Sequence, residues 1–330
     1  MSVIATSPSL AVGGDSEAKS ALPSPSVLCV GLAAITLSAV SGLGLYGYNL
    51  SSQPLGVSAC LVLLLFGLPH GSLDLELLRR NRVQNRVSLP ILLIMYLGLA
   101  VASYAVWITS PLLAFTLFLV TAVVHFAEDW HSCSAPFLSH AIAVATLSAP
   151  ALFHRQSIEG LFVTLTGNSD ASNGAELLLL VAPVAILTAF VGCADLWRNG
   201  RKTEVASGAV GLLAMLSLPP LIGFAIYFCL LHSPVHLAAN WRQVRSHPRV
   251  HLRRRTAATI VVLLTLGALG IAALIYTFPQ PFAPPDRIFR SAFITLSILT
   301  VPHMLMPKLV TTVSALLEKP TSRQRQRIYV

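Results

Sequence analysis

Apolar residues in this chain run in blocks of about twenty, separated by short polar or proline-bearing joints, from near residue 26 almost to the C-terminus. Helical blocks of that length match a bilayer, since ~20 residues at ~1.5 Å each span a hydrocarbon core of ~30 Å. Lipid offers the backbone no hydrogen-bond partner, so each block is expected to close its own bonds as a helix. Ten blocks can be delimited: Ser26–Tyr48, Leu55–Leu78, Pro90–Ile108, Pro111–Trp130, Phe137–His154, Glu176–Trp197, Val205–Pro219, Leu221–Asn240, Ala257–Thr277 and Ile288–Leu317. The fifth and seventh are the weakest. The seventh ends at Pro219-Pro220, which suits a broken or re-entrant element. The expectation is an all-α, polytopic transmembrane helix bundle of about ten spans occupying residues 26–317. Residues 1–25, rich in Ser, Pro, Gly and Ala without a period, read as a disordered tail, and residues 318–330 as a basic tail.

Composition agrees. The 330 residues are 55% hydrophobic and 11% charged, against roughly 25% charged in soluble domains, so there is too little polar surface to coat a globule in water. The net charge of +9 suggests nucleic acid, but the basic residues sit in short joints and not along one face. Arg79, Arg80, Arg82 and Arg86 follow the second block; Arg198, Arg201 and Lys202 the sixth; Arg242, Arg245, Arg249, Arg253, Arg254 and Arg255 the eighth; and Lys319, Arg323, Arg325 and Arg327 the tenth. All are ends of even-numbered spans, whereas the opposite joints are nearly bare of Lys and Arg, the residue 155–175 loop having one Arg. The positive-inside rule therefore places these ends and both termini in the cytoplasm of a multi-pass protein of the cell (inner) membrane. Nucleic acid is excluded as a partner. Five scattered cysteines form no CxxC pair, which argues against a disulfide framework or zinc ribbon.

Ionisable side chains within lipid are expensive and mark function. Five of the ten histidines fall well inside these blocks: His70, His125, His232, His236 and His303. All lie on even-numbered spans, between 11 and 15 residues from the predicted start of each. At ~1.5 Å per residue this is a spread of ~6 Å, so four helices bring imidazoles to one layer of the bilayer. His232 and His236, at i and i+4, share a helical face and can bind one ion. His70 and His125 would complete a four-nitrogen set, with His303 as a fifth ligand or a supporting group. Imidazole suits Fe, Zn, Cu and Ni, and four histidines would leave open positions on a six-coordinate Fe(II). His247 and His251 read as solvated loop side chains, His154 as interfacial, and His131 and His140 as lying near the cytoplasmic ends of their spans.

Carboxylates accompany the histidines: Asp74 one turn after His70, and Glu128 and Asp129 three and four residues after His125. A metal-bound histidine usually gives its other N–H to a carboxylate or carbonyl, which fixes its tautomer, and that role competes here with an ordinary helix end near water. Trp130 and Trp241 read as interfacial aromatics. Tyr227, five residues before His232 and off its α-helical face, reads as a packing residue.

The segments Pro69-His70-Gly71-Ser72-Leu73-Asp74, His125-Phe126-Ala127-Glu128-Asp129, Tyr227-Phe228 with His232-Ser233-Pro234-Val235-His236, and Pro302-His303-Met304 resemble PHGxxD, HFxxED, YFxxxHSxxH and PHM elements. In this order on separate spans, over about residues 55–310, they are similar to the Brp/Blh family of β-carotene 15,15′-dioxygenases. The resemblance implies a membrane enzyme that splits the central double bond of β-carotene with O2, giving two all-trans-retinal. It implies iron, Fe(2+), held by His70, His125, His232 and His236, and a functional link to a retinal-binding rhodopsin. The residues themselves leave rivals open. A di-iron membrane oxygenase needs about eight histidines in HxxxH and HxxHH clusters, whereas one HxxxH and no HH pair is present. A metal or proton transporter also uses intramembrane His and acids. A rhodopsin needs a buried mid-span Lys, and Lys308 lies at the cytoplasmic edge.

Overall fold

The computed structural model describes residues 24–80, 88–246, 254–279 and 281–317. The expected tails at 1–25 and 318–330 lie outside these apart from residues 24 and 25, as do His247, His251 and several of the loop arginines. Every regular element among the described residues is helical. The long ones are α1 (Pro25–Leu45), α2 (Gln53–Val62) continuing through altered turns into α3 (Asp74–Arg80), α4 (Leu89–Thr109), α5 (Pro111–Ala127), α6 (Pro136–Ser148) and α7 (Pro150–Thr166). They are followed by α8 (Ser172–Arg198), α9 (Lys202–Ser217), α10 (Pro220–Ile226) continuing into α11 (Ser233–Ser246), α12 (Arg254–Thr277) and α13 (Pro284–Leu317). The joints are sharp because Pro25, Pro54, Pro90, Pro111, Pro136, Pro150 and Pro220 each stand in the first turn of a helix. There the missing N–H costs nothing and the fixed φ starts the helix.

Among the described residues eight helices are long and apolar enough to cross a membrane, or nine if α6 and α7, bent by 56°, make one span. The two differences from ten fall on the two weakest blocks. At 16 residues, α9 reaches only ~24 Å. The fifth block is longer than expected but broken: α6 stops at Ser148, and Pro150 starts α7, which runs on through residues assigned to a loop. Arg155, Gln156 and Glu159 lower the hydropathy there and mask the helical spacing of Ile158, Leu161, Phe162 and Leu165.

Hydrogen bonds fix which ends meet. The N–H and hydroxyl of Ser134, before α6, both donate to Asp195 near the end of α8 at 2.7 Å, and the Ser132 hydroxyl donates to Glu204 in the first turn of α9. These ends gather beside Arg198, Arg201 and Lys202. At the opposite end Arg290 of α13 donates to the carbonyls of Thr164 and Leu165, closing the last turn of α7. The expected alternation of spans therefore holds at both ends. Helices differ in their surroundings: half of the span Pro220–Arg245 and half of Pro284–Val310 are buried, against 6% of Ser26–Leu45. The former are central, and the latter presents apolar side chains outward, as a lipid-facing helix must. Trp130, expected at an interface, is 2% exposed and packs in the core. It lies beside Gly208 of α9, where a Cβ would already be in contact with its ring. All five cysteines are free. Burial pushes the thiol of Cys133, in the turn before α6, up to about 11, so it stays protonated.

Candidate metal centre

Two helices depart from α geometry where they carry histidines. The span begun by α2 passes through a π-helical turn, Leu63–Gly67, and a tight 3-10 stretch, Leu68–Leu73, that contains His70. The span begun by α10 passes through a second π-helical turn, Tyr227–His232. π-turns inside α-helices are uncommon and recur at functional sites. The backbone groups they disturb find partners on the neighbouring helix: Ser233 donates to the Phe66 carbonyl at 2.7 Å and Asn240 to the His70 carbonyl at 3.3 Å. Gly67 lets the two segments touch, since a Cβ there would lie 2.4 Å from the Phe228 ring. Phe228 in turn stacks on His232, with centroids 5.3 Å apart.

All five histidines singled out by depth come together. The His70 ring centroid is 5.6 Å from that of His125, 5.2 Å from His232, 6.4 Å from His236 and 5.2 Å from His303. His232 and His236 are 4.4 Å apart, and His125 and His303 4.9 Å. His70, His125 and His232 each offer a nitrogen within 4.8 Å of the others, and all three are buried. Asp129, His232 and His236 form a second such group sharing His232. His131 and His140 instead donate to their own helix carbonyls, of Glu128 and Pro136, and lie outside the cluster.

Hydrogen bonds set the tautomers. Carbonyl and carboxylate oxygens only accept, so His70 donates Nδ1–H to Gly67 (2.5 Å), His232 donates Nδ1–H to Asp129 (2.9 Å) and His303 donates Nδ1–H to Asp74 (2.5 Å). Each keeps an Nε2 lone pair. His236 donates Nε2–H to Asp129 (2.6 Å) and keeps Nδ1. Nε2 of His125 and Nε2 of His232 are 3.0 Å apart, about the spacing of two nitrogens at right angles on one ion with bonds of ~2.1 Å. Nδ1 of His125 is buried without a hydrogen-bond partner, and Glu128, half exposed, stands 3.6 Å from it. Converging imidazoles, four of them with an outer nitrogen already engaged, form the kind of donor set a transition metal requires.

The carboxylates do not serve the histidines nearest in sequence. Asp74 pairs with His303 and leaves His70 to a carbonyl. At three residues per turn, a residue four positions on lies ~120° around the helix and not on the same face. Asp129 turns away from His125 because α5 ends at Ala127 and a 3-10 turn follows. It accepts from His232, His236 and also the hydroxyl of Tyr227 at 2.8 Å. Tyr227 packs in the core as expected, and its hydroxyl adds this bond to the carboxylate. A π-turn bonds i to i+5, so Tyr227 and His232 face the same way, which an α-helical wheel hides.

Three cavities meet the cluster. The most polar of them, of about 470 Å³, opens toward the basic end and is lined by Asp129, His236, Glu128, His131, Arg201 and Lys202 among others. A narrow apolar chamber of about 100 Å³, between α5, α7, α10 and α13, reaches His125 and is walled chiefly by Phe and Leu side chains, with Phe115 and Phe162 on it. A third, of about 500 Å³, reaches His70 and His303 from between α4 and α12.

The sequence model of a family described as "Beta-carotene 15,15'-dioxygenase" matches residues 61–310. A protein of that description from Uncultured marine bacterium 66A03 is 26% identical over 260 residues, which cover 75% of this chain and 91% of that protein. No solved structure matches.

Proposed function

From the premise that this chain belongs to the β-carotene 15,15′-dioxygenase family, we propose that it cleaves the central double bond of β-carotene with O2 at a histidine-held iron and releases two all-trans-retinal. The observation that carries this reading is the junction of converging imidazoles with apolar cavities within the apolar spans. A C40 hydrocarbon dissolves in the bilayer core, so an enzyme acting on it gains by holding its metal there. An ion path would need polar lining on both sides of the histidines, and the chamber beyond His125 is apolar.

His70, His125 and His232 are the core of the ligand set, His236 is its fourth member, and His303 stands behind them. Iron in that set supplies the electronic means for O2 to react with a closed-shell alkene. The chain's residues do the rest. Gly67, Asp129 and Asp74 hold imidazole protons on the outward nitrogens, so the lone pairs face inward. Apolar walls exclude water and hold the polyene in one register, so that specificity is positioning. No side-chain nucleophile is needed. The C=C bond is exchanged for two C=O bonds whose oxygens both come from O2, without an external reductant. The basic ends face the cytoplasm and the protein resides in the cell's inner membrane. The retinal it forms is the ligand a retinal-binding rhodopsin consumes.

The test is expression in a β-carotene-accumulating host, with retinal and iron per chain measured beside His232→Ala. Retinal and close to one iron per chain in the wild type, with neither in the variant, is the expected result. An iron-loaded wild type that leaves β-carotene intact overturns the substrate assignment.

A further inference from the structure

Resting on that reading, the groove between α4 and α12 says how the substrate reaches the histidines. Both helices pack on α13, and the groove between them has α13 as its floor. On α12 its wall is Leu264, Gly267, Ala268 and Ile271, spaced i, i+3, i+4, i+7 along one helical face. On α4 the wall includes Leu93 and Leu97. These stretches lie near the middle of their spans, at the depth of acyl chains. The rim is open outward: Leu97 is 65% exposed, Leu93 47% and Leu264 43%. The inner end touches His70 and His303. Leu296 and Thr300 of α13 line both this groove and the chamber that reaches His125. Two apolar spaces thus approach the cluster and share one partition, and of the two the groove is the one with exposed side chains on its rim.

We propose that the α4/α12 groove is the lateral portal through which a linear polyene hydrocarbon enters from the bilayer. It passes end-first beside Leu296 and Thr300 until one arm lies in the Phe-lined chamber and the other in the groove, with the bond to be broken held at the histidines. The chamber is lined only by buried and half-buried side chains, so the length of arm it accepts sets which bond stops at the histidines. The wide groove receives the trailing arm and, after cleavage, returns the two aldehydes to the membrane.

Two glycines of α12 provide the test. A Cβ at Gly267 or at Gly270 meets nothing within 4 Å, so a large side chain is tolerated at either, but Gly267 lines the groove and Gly270 does not. Full-length Gly267→Trp and Gly270→Trp are compared with wild type in β-carotene-loaded vesicles. Three quantities are read: iron per chain, cleavage kcat/KM, and β-carotene retained by metal-depleted protein. Gly267→Trp is expected to keep its iron while losing at least tenfold in kcat/KM and in retained carotenoid, with Gly270→Trp within about twofold of wild type. Equal behaviour of Gly267→Trp and wild type overturns the portal, as a groove filled only by lipid tails would require, and leaves the dioxygenase reading standing. Equal losses in both variants overturn it as well. A wild type that binds iron but cleaves no carotenoid instead removes the reading beneath it.

Discussion

On the side of the histidine cluster that faces the basic end, the neighbours are polar and tied together: Asp129 accepts from His232, His236 and Tyr227, and a cavity lined by Glu128, His131, Arg201 and Lys202 leads to it. On the other side His125 abuts a chamber of Phe and Leu, and His70 and His303 face a groove open to lipid. The two sides ask different things of the protein. A metal site must pay the desolvation of its carboxylate, and Asp129 is tolerated because three donors replace water. A hydrocarbon site needs no such partners and gains from being dry. The same imidazoles serve both because His70, His232, His236 and His303 each point one nitrogen outward to a fixed acceptor and one inward, with His125 alone lacking such an anchor. Changes on the polar side should therefore register as metal affinity, and changes on the apolar side as catalytic efficiency at unchanged metal content.

The largest effect that can break this division is expected from the apolar side. Ala122 is buried one turn before His125 and lines the chamber. Ala122→Phe would fill the space against His125 at an overpacking cost of about 1–3 kcal/mol. Displacing the substrate by ~1 Å is enough to lower kcat/KM by ~100-fold, while iron affinity stays within about twofold. Steady-state assays with iron quantified in the same sample check this, and iron loss in parallel with activity would erase the distinction. Asp129→Asn is the polar-side counterpart. The amide keeps one acceptor oxygen for three donors and turns an NH2 on the rest. Iron affinity should fall by ~10–100-fold, read by competition with a chelator, while metal-depleted protein still retains β-carotene.

The helical bundle and the membership of the cluster were legible because they rest on simple periods: blocks of bilayer length, and His70, His125, His232, His236 and His303 at one depth. What was not legible depends on local departures from those periods. The link between Tyr227 and Asp129 requires a π-turn, and the pairing of Asp74 with His303 requires a 3-10 turn. Both follow from the packing of one helix on another and have no signature in residue spacing. The burial of Trp130 depends on Gly208, 78 positions away. The continuation of α7 past His154 was hidden by three polar residues on a helix whose apolar face was present in the sequence all along.

Tyr227→Phe gives a smaller and sharper test of the polar side. The ring sits in the core at 1% exposure, so Phe should preserve packing and remove only the hydroxyl. Asp129 would keep His232 and His236 as donors. A single hydrogen bond is worth about 1 kcal/mol net, which corresponds to a ~5-fold loss of iron affinity, with KM for β-carotene unchanged. A change in KM alone would move Tyr227 to the apolar side of the comparison.

The smallest effect is expected at Glu128. Its side chain is 52% exposed and lies 3.6 Å from Nδ1 of His125, beyond hydrogen-bond reach. Exposed ion pairs are commonly worth 0–1 kcal/mol, and a neutral His125 gives Glu128 still less to hold. Glu128→Gln should leave both iron affinity and kcat/KM within about twofold of wild type. The result matters because Nδ1 of His125 is the one outward-pointing nitrogen of the inner trio with no hydrogen-bond partner. If the variant loses iron about tenfold, Glu128 closes on that nitrogen when metal binds and belongs with Asp129 and Asp74 as an anchor. If nothing changes, His125 is the least constrained of the three inner ligands. That freedom falls on the ligand that borders the chamber, where the ring has to accommodate an arriving polyene.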